Sequence, residues 1–349
     1  MRVLVAMSGG VDSSVAAALL VNQGHEVTGV TLKLWGGPSD AGCCSVSDVE
    51  DARQVAAQLG IDHHVFNLGE EFEELVVAPY VDAHRRGVTP NPCIECNRHL
   101  KFDALLATAK RLGFERLATG HHARITEGPE GLELRRGIDG AKDQSYVLSM
   151  LTAEKLASIL LPVGELTKAE VRNVARSIGL RTSEKPESQD TCFIESSGGR
   201  KRFLSERTDL HDGDLIEEST GRIVGTITDL ELVTIGQRKR LGIDELGRRR
   251  VAVSIDVNRR AVMVAPPEEA MIAELPIDTD SLTWVDAALP IGTVLNAQMR
   301  SHGVVAPCRF DGDRLVFDPP VMPVAPGQTT ALFCGDDADR VVGSFMVAS

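Results

Sequence analysis

Several short stretches of this 349-residue chain combine residue types and spacings that could do chemistry. Residues 7–15, MSGGVDSSV, set two glycines, three serines and one aspartate at the end of an apolar run. Glycines let a backbone approach a phosphate, hydroxyls and N–H groups donate to it, and a helix starting there carries about half a positive charge at its first turn. Neither G-x-x-x-x-G-K-[ST] nor G-x-G-x-x-G is present. Residues 89–102, TPNPCIECNRHLKF, hold Cys93 and Cys96 in a C-x-x-C beside Arg98, His99 and Lys101, cations that favour a thiolate. Cys192 stands in KPESQDTCFIESSGG among polar residues and glycines, a setting that suits a reacting thiol better than a core one. His121–His122 follow a short apolar run, a setting also met in satisfied surface pairs. KDQSY, 142–146, offers Lys, Gln and Tyr for phosphate contact and base stacking, or forms an ordinary polar turn.

The C-x-x-C is half of a tetrahedral zinc site, but no second close pair follows, and adjacent Cys43–Cys44 has the wrong spacing to supply one. Seven cysteines, an odd number, and an N-terminus without a cleavable signal point to the reducing cytoplasm and away from a disulfide framework. Cys308 and Cys334 lie in strand-like runs and read as core. The net charge of −13 argues against a surface that binds nucleic acid all over, but not against local patches. Tight basic clusters fall at 198–203, 236–242, 247–253 and Arg259–Arg260. No apolar run approaches the roughly 20 residues of a membrane span.

These residues need a scaffold. Apolar runs at 2–7, 26–32 and 63–68 alternate with helical patterns over 11–19, 47–59, 70–86 and 98–112, and 116–120 ends a further strand. Ser47 and Glu50 read as a capping box, as do Thr167 and Glu170 ahead of the last convincing helix at 167–179. This alternation predicts an α/β fold with a doubly wound parallel sheet and ligands at the carboxyl ends of its strands. Beyond about residue 200 the chain turns into short β-branched runs broken by Gly, Asp and Pro, among them RIVGTI, LELVTIG, RRVAVSID, AVMVAP, RLVFDPP and TTALFCG. The expected division is a catalytic domain at 1–200, a small central β-rich domain at 201–264 and a C-terminal β-barrel at 265–349.

The string S-G-G-x-D-S-S directly after a strand resembles the PP-loop of the N-type ATP pyrophosphatases, the adenine nucleotide alpha hydrolase-like enzymes. Further strings match in order: NPC..CNR.LKF, LATGHHAR at 117–124, KDQSYVL at 142–148, SQDTCFI at 188–194, TIGQRK.LGI at 234–243 and APGQ at 325–328. Together they resemble the bacterial tRNA 2-thiouridylases, which replace O2 of the wobble uridine with sulfur. The resemblance implies ATP and Mg²⁺ as cofactors, tRNA as substrate, and a sulfur carrier or cysteine desulfurase as donor. It places ATP at Ala6, Met7, Ser8, Gly9, Gly10, Val11, Asp12, Ser13, Leu32 and Gly120, with Asp12 also a candidate for the metal. It places tRNA at His121, Lys142, Asp143, Gln144 and Gln328. Cys192 matches the persulfide cysteine and Cys96 the nucleophile that pairs with it in a transient Cys96–Cys192 disulfide.

Where the family often has Asp, this chain has Cys93, a candidate auxiliary thiol. Cys93, Cys96 and Cys192 are also similar to the three cysteines of [4Fe–4S]-dependent tRNA thiolation enzymes. TDLELVTIG lacks the His and Gly usual in the family. Two other function classes remain: a PP-loop amide ligase, which needs neither Cys96 nor Cys192, and a metal-stabilised RNA-binding module, which leaves the glycine loop unexplained.

Overall fold

A computed structural model describes residues 1–34, 46–186, 191, 193–194 and 197–348. Trp35, Cys43, Cys44 and Cys192 lie outside the described residues. The first part of the chain supplies strands β1 (Arg2–Ala6), β2 (Glu26–Lys33), β3 (Asp62–Asn67), β4 (Arg116–Ala118), β5 (Ala123–Gly128), β6 (Gly131–Arg136) and β7 (Ile159–Leu160). Five of them form a parallel sheet in the order β3-β2-β1-β4-β7. Because side chains alternate along a strand, Val3 and Val5 pack on one face with Val15, Val55 and Val171, while Leu4 packs on the other with Phe72, Leu100 and Phe102. Burial on both faces makes β1 a continuous apolar run and confirms the doubly wound reading.

β1 leads outward to β2 and β3 on one side and neighbours β4 on the other, so a crevice opens where Ala6 and Ala118 end. The loops leaving those ends are 7–10 and 119–122, the expected ligand position for an open α/β sheet.

β5 and β6 leave this sheet as a hairpin, and β6 pairs antiparallel with β17 (Arg340–Val347). That pairing joins the parallel-sheet part to a barrel of β12 (Ile272–Trp284), β13 (Val294–Gln298), β14 (Val305–Phe310), β15 (Arg314–Val321), β16 (Thr329–Cys334) and β17, closed by β12 on β17. Between them, β8 (Gly213–Glu217), β9 (Ile223–Ile227), β10 (Val251–Asp256) and β11 (Ala261–Ala265) make a separate sheet ordered β10-β11-β8-β9.

Three local expectations fail. LELVTIG is not a strand: Leu230–Leu232 forms a 3₁₀ turn after Asp229 at φ 55. The turn buries Leu230 and Val233 in the small core, and Glu231 accepts from the His211 backbone and ring. Ser47 lies inside the helix Val46–Leu59 rather than ahead of it, so the expected box does not start that helix. The helix Lys168–Ser177 is not the last one, because the basic run at 200 folds as the helix Arg200–Ser205. Thr167 and Glu170 do form their capping box.

Candidate active site

The glycine turn after β1 runs into the helix Val11–Asn22, whose N-cap, Gly10, has no side chain to cap it. That leaves the first-turn N–H groups facing the crevice, an arrangement suited to an anion. Ser13 Oγ accepts from the Ser8 backbone at 3.1 Å and lies 3.4 Å from Ser8 Oγ, so the two serines brace the turn. Gly9 adopts φ 73, and a Cβ there would stand 2.3 Å from the Asp48 carbonyl oxygen. At Gly120 a Cβ would stand 2.5 Å from Ser13 N, so the loop after β4 closes directly on the glycine turn. Met7 and Leu32 are buried beneath, and Met7 N donates to the Val30 carbonyl.

Asp12 points to the junction of three elements. Lys168 Nζ donates to both its oxygens at 2.8 and 2.7 Å, and His122 Nε2 stands 3.0 Å from Oδ1. Burial alone would raise the Asp12 carboxyl, but the hydrogen bonds from His122 and Lys168 outweigh it and hold the group below its ordinary range. Lys168 Nζ thus occupies both Asp12 oxygens. Among the described residues no three His, Cys, Asp or Glu side chains gather as ligands. Asp12 would therefore hold Mg²⁺ only once Lys168 turns to another partner.

A second lysine closes the other side of the turn. Lys185 Nζ donates to the Gly9 carbonyl at 3.0 Å and to Asp48 and Asp51 at 2.7 and 2.5 Å. Burial lowers its pKa, and the two carboxylates more than reverse that. Sequence reasoning passed over both lysines. The only signals were that Lys168 opens a boxed helix and that Lys185 begins the KPESQDTC string.

The thiols sit on a helix reached from the opposite side. Asn91 caps the turn Pro92–Glu95 by accepting from the Cys93 and Ile94 backbones at 3.1 and 3.4 Å. Cys96 then begins a π-helical stretch, Cys96–Leu105, a wider winding often found at functional positions. Burial pushes the Cys96 thiol up, and Lys101 only partly offsets it. Arg98 and His99 do not act as expected: Arg98 pairs with Glu95 at 3.4 Å, and His99 lies between Glu95 and Asp103 at 3.3 and 3.7 Å. Cys93 Sγ stands 3.9 Å from Thr191 Oγ1, and Phe193 packs edge-on against Phe72, Tyr80 and Phe203. The described residues on both sides of position 192 are thus fixed beside the thiol helix.

His121 joins the two halves. It is buried, bonds Thr119 Oγ1 through Nδ1 at 2.7 Å, and its ring lies 6.0 Å from Phe102 of the thiol helix. Burial, helped by Lys101, holds it well below the ordinary histidine range, so it is neutral at neutral pH. Asp143 accepts from Arg136, from the backbones of Gly137 and Ser145 and from the Ser145 hydroxyl, and Gln144 Oε1 accepts from the His122 backbone. Tyr146 corrects the stacking expectation. It is 1% exposed and its hydroxyl donates to the Thr329 carbonyl, so its ring offers no face to a base.

Residues 1–196 match the family described as the tRNA methyl transferase HUP domain. Over the full chain, the tRNA-specific 2-thiouridylase MnmA of Mycolicibacterium smegmatis is 43% identical, covering 99% of this chain and 98% of that protein. The chain belongs to the tRNA-specific 2-thiouridylase family. Its counterpart in Roseiflexus castenholzii is 41% identical over 96% of each chain, and that in Salinispora arenicola 41% over 100% and 99%. Within this 2-thiouridylase chain, Cys308 is buried in the barrel as expected, whereas Cys334 is half-exposed and bonded to Asp336 and Arg340. Among the described residues no helix is long and apolar enough to cross a membrane.

Proposed function

We propose that the chain is an ATP-dependent tRNA sulfurtransferase that converts the wobble uridine to 2-thiouridine, releasing AMP and pyrophosphate. The triphosphate lies against Ser8 to Ser13, under Gly120, with Lys168 and Lys185 exchanging a carboxylate for phosphate oxygens. Uridine O2 attacks the α-phosphorus, pyrophosphate leaves, and the backbone N–H groups and both lysines stabilise the charge that develops. A sulfur carrier or cysteine desulfurase loads Cys192 as a persulfide. Its terminal sulfur attacks C2 and AMP leaves. The Cys96 thiolate then attacks Cys192 Sγ, which splits the S–S bond, leaves sulfur on C2, and forms a Cys96–Cys192 disulfide that an external thiol reduces.

The observation that carries this reading is the approach of Cys93 to Thr191, which brings together two cysteine motifs 98 residues apart. An amide ligase has no use for that junction. Asp143 and Gln144 hold their loop, Lys142, half-exposed at its edge, faces the tRNA, and buried His121 supports the site from beneath. The test is Cys192→Ser, assayed for thiolation and, separately, for tRNA-dependent AMP formation from ATP. Thiolation should vanish while AMP formation survives; sulfur transfer persisting in this variant would refute the role given to Cys192.

A further inference from the structure

The barrel reaches the thiol helix by two hydrogen-bonded routes. In the first, the turn before β16 grips Thr89, two residues ahead of the Asn91 cap. Thr89 N donates to the Pro326 carbonyl at 3.0 Å, and Gln328 Nε2 donates to the Thr89 carbonyl. Gly327 fits between them at φ 79, where a Cβ would stand 2.5 Å from Val88 Cγ1. In the second route, the Tyr146 hydroxyl donates to the Thr329 carbonyl at 2.8 Å, and the same turn, Ser145–Leu148, is bonded to the thiol helix, where Asn97 Nδ2 donates to the Val147 carbonyl at 3.1 Å. The relay therefore runs from Thr329 through Tyr146 and its neighbour Val147 to Asn97, the residue after Cys96.

We propose that Tyr146 and Gln328 are positioning residues: they use the barrel as a fixed support that holds the N-terminus of the thiol helix and so sets the exposure of Cys96. Gln328, expected at the tRNA, commits one amide N–H inside the protein. Tyr146 cannot touch RNA from its buried place, so it separates positioning from contact. The proposal rests on the reading that Cys96 reacts, but it makes a claim about the free protein that needs no turnover.

The experiment alkylates the full chain with iodoacetamide and follows Cys96 and Cys308 separately by peptide mass spectrometry, in wild type, Tyr146→Phe and Gln328→Ala. Each variant removes one hydrogen bond from the support, so Cys96 should react about fivefold faster, the factor one such bond is commonly worth. Cys308, 5% exposed inside the barrel, should keep its wild-type rate. In thiolation, kcat should fall in Tyr146→Phe while KM for tRNA holds. Unchanged Cys96 rates in both variants, or Cys96 and Cys308 rising together, would overturn the proposal. A rise in KM for tRNA alone in Gln328→Ala would do the same, making that residue an RNA contact. Absence of thiolation in wild type would count against the proposed function and leave the alkylation comparison intact.

Discussion

Lys168 Nζ lies 2.7 Å from one carboxylate oxygen of Asp12 and 2.8 Å from the other, which ties the start of the helix Lys168–Ser177 to the first turn of the helix after the glycine loop. This pair is both a brace and a reservoir of positive charge. Lys168→Met should lower tRNA-dependent pyrophosphate release by about two orders of magnitude, the usual cost of losing one charge-stabilising donor. It should also change the pH dependence of stability. The Asp12 carboxyl is depressed in the folded protein, so its contribution is present above the unfolded carboxyl value and is lost as pH falls through the folded one. Denaturant unfolding of wild type and variant should differ at pH 7 and converge in acid. A gap that stays constant down to pH 3 would show that the pair is not coupled to folding.

His84 gives a second pH signature with the opposite origin. It is 1% exposed, its Nδ1 donates to the Tyr80 carbonyl at 2.8 Å, and its Nε2 has no hydrogen-bond partner. Burial pushes its pKa down to about 4. Between about 6.5 and 4 the unfolded chain binds a proton that the folded chain refuses, so stability should fall as pH drops through that window, by on the order of 3 kcal/mol in full. His84→Phe should flatten this segment of the stability–pH curve. The comparison is urea midpoints at half-unit steps, and parallel curves would exclude His84 as the source.

The parallel sheet and the glycine turn were legible because burial on both faces makes β1 a continuous apolar run and because the S-G-G-x-D-S-S string has few other uses. The β5–β6 hairpin was not, since ARITEG and GLELRR read as polar and the partner strand lies some 200 residues downstream, at Arg340 and Val341. Lys168 and Lys185 escaped for a related reason: a lysine gains meaning here only through the Asp12, Gly9 and Asp48 that the fold brings to it. Tyr146 was misread because a polar string does not reveal that its aromatic member turns inward. The C-x-x-C was picked out from sequence as a candidate, but its electrostatics were not legible there, because Glu95 and Asp103 take the Arg98 and His99 side chains expected to serve Cys96.

Two glycines separate local strain from close approach. Gly24 at φ 80 has nothing within 4 Å of a built Cβ, whereas at Gly9, φ 73, the Asp48 backbone stands in the way. Gly24→Ala should cost about 1 kcal/mol through its backbone alone and leave ATP affinity unchanged. Gly9→Ala adds a backbone collision that no side-chain rotation relieves, so the turn must shift and ATP affinity should fall tenfold or more. Calorimetric titration of ATP into both folded variants decides it. Equal affinities would mean that the turn tolerates the shift and that its shape is not what binds the nucleotide.

In the proposed mechanism the state of Cys96 would set the order of events. Its thiol is raised by burial and only partly lowered by Lys101, so in the free protein it stays protonated and a poor nucleophile at pH 7. A resolving thiol that is silent until the substrate arrives avoids attacking the persulfide early, which would discard the sulfur and form the disulfide without product. The pH profile of Cys96 alkylation in the absence of tRNA should therefore climb through a midpoint above the ordinary thiol value of about 8.5. Lys101→Met should push that midpoint higher still, because it removes the one cation that favours the thiolate. A wild-type midpoint below 8, or a Lys101→Met profile that does not move, would mean that Cys96 is activated before tRNA binds and that the timing must be imposed elsewhere.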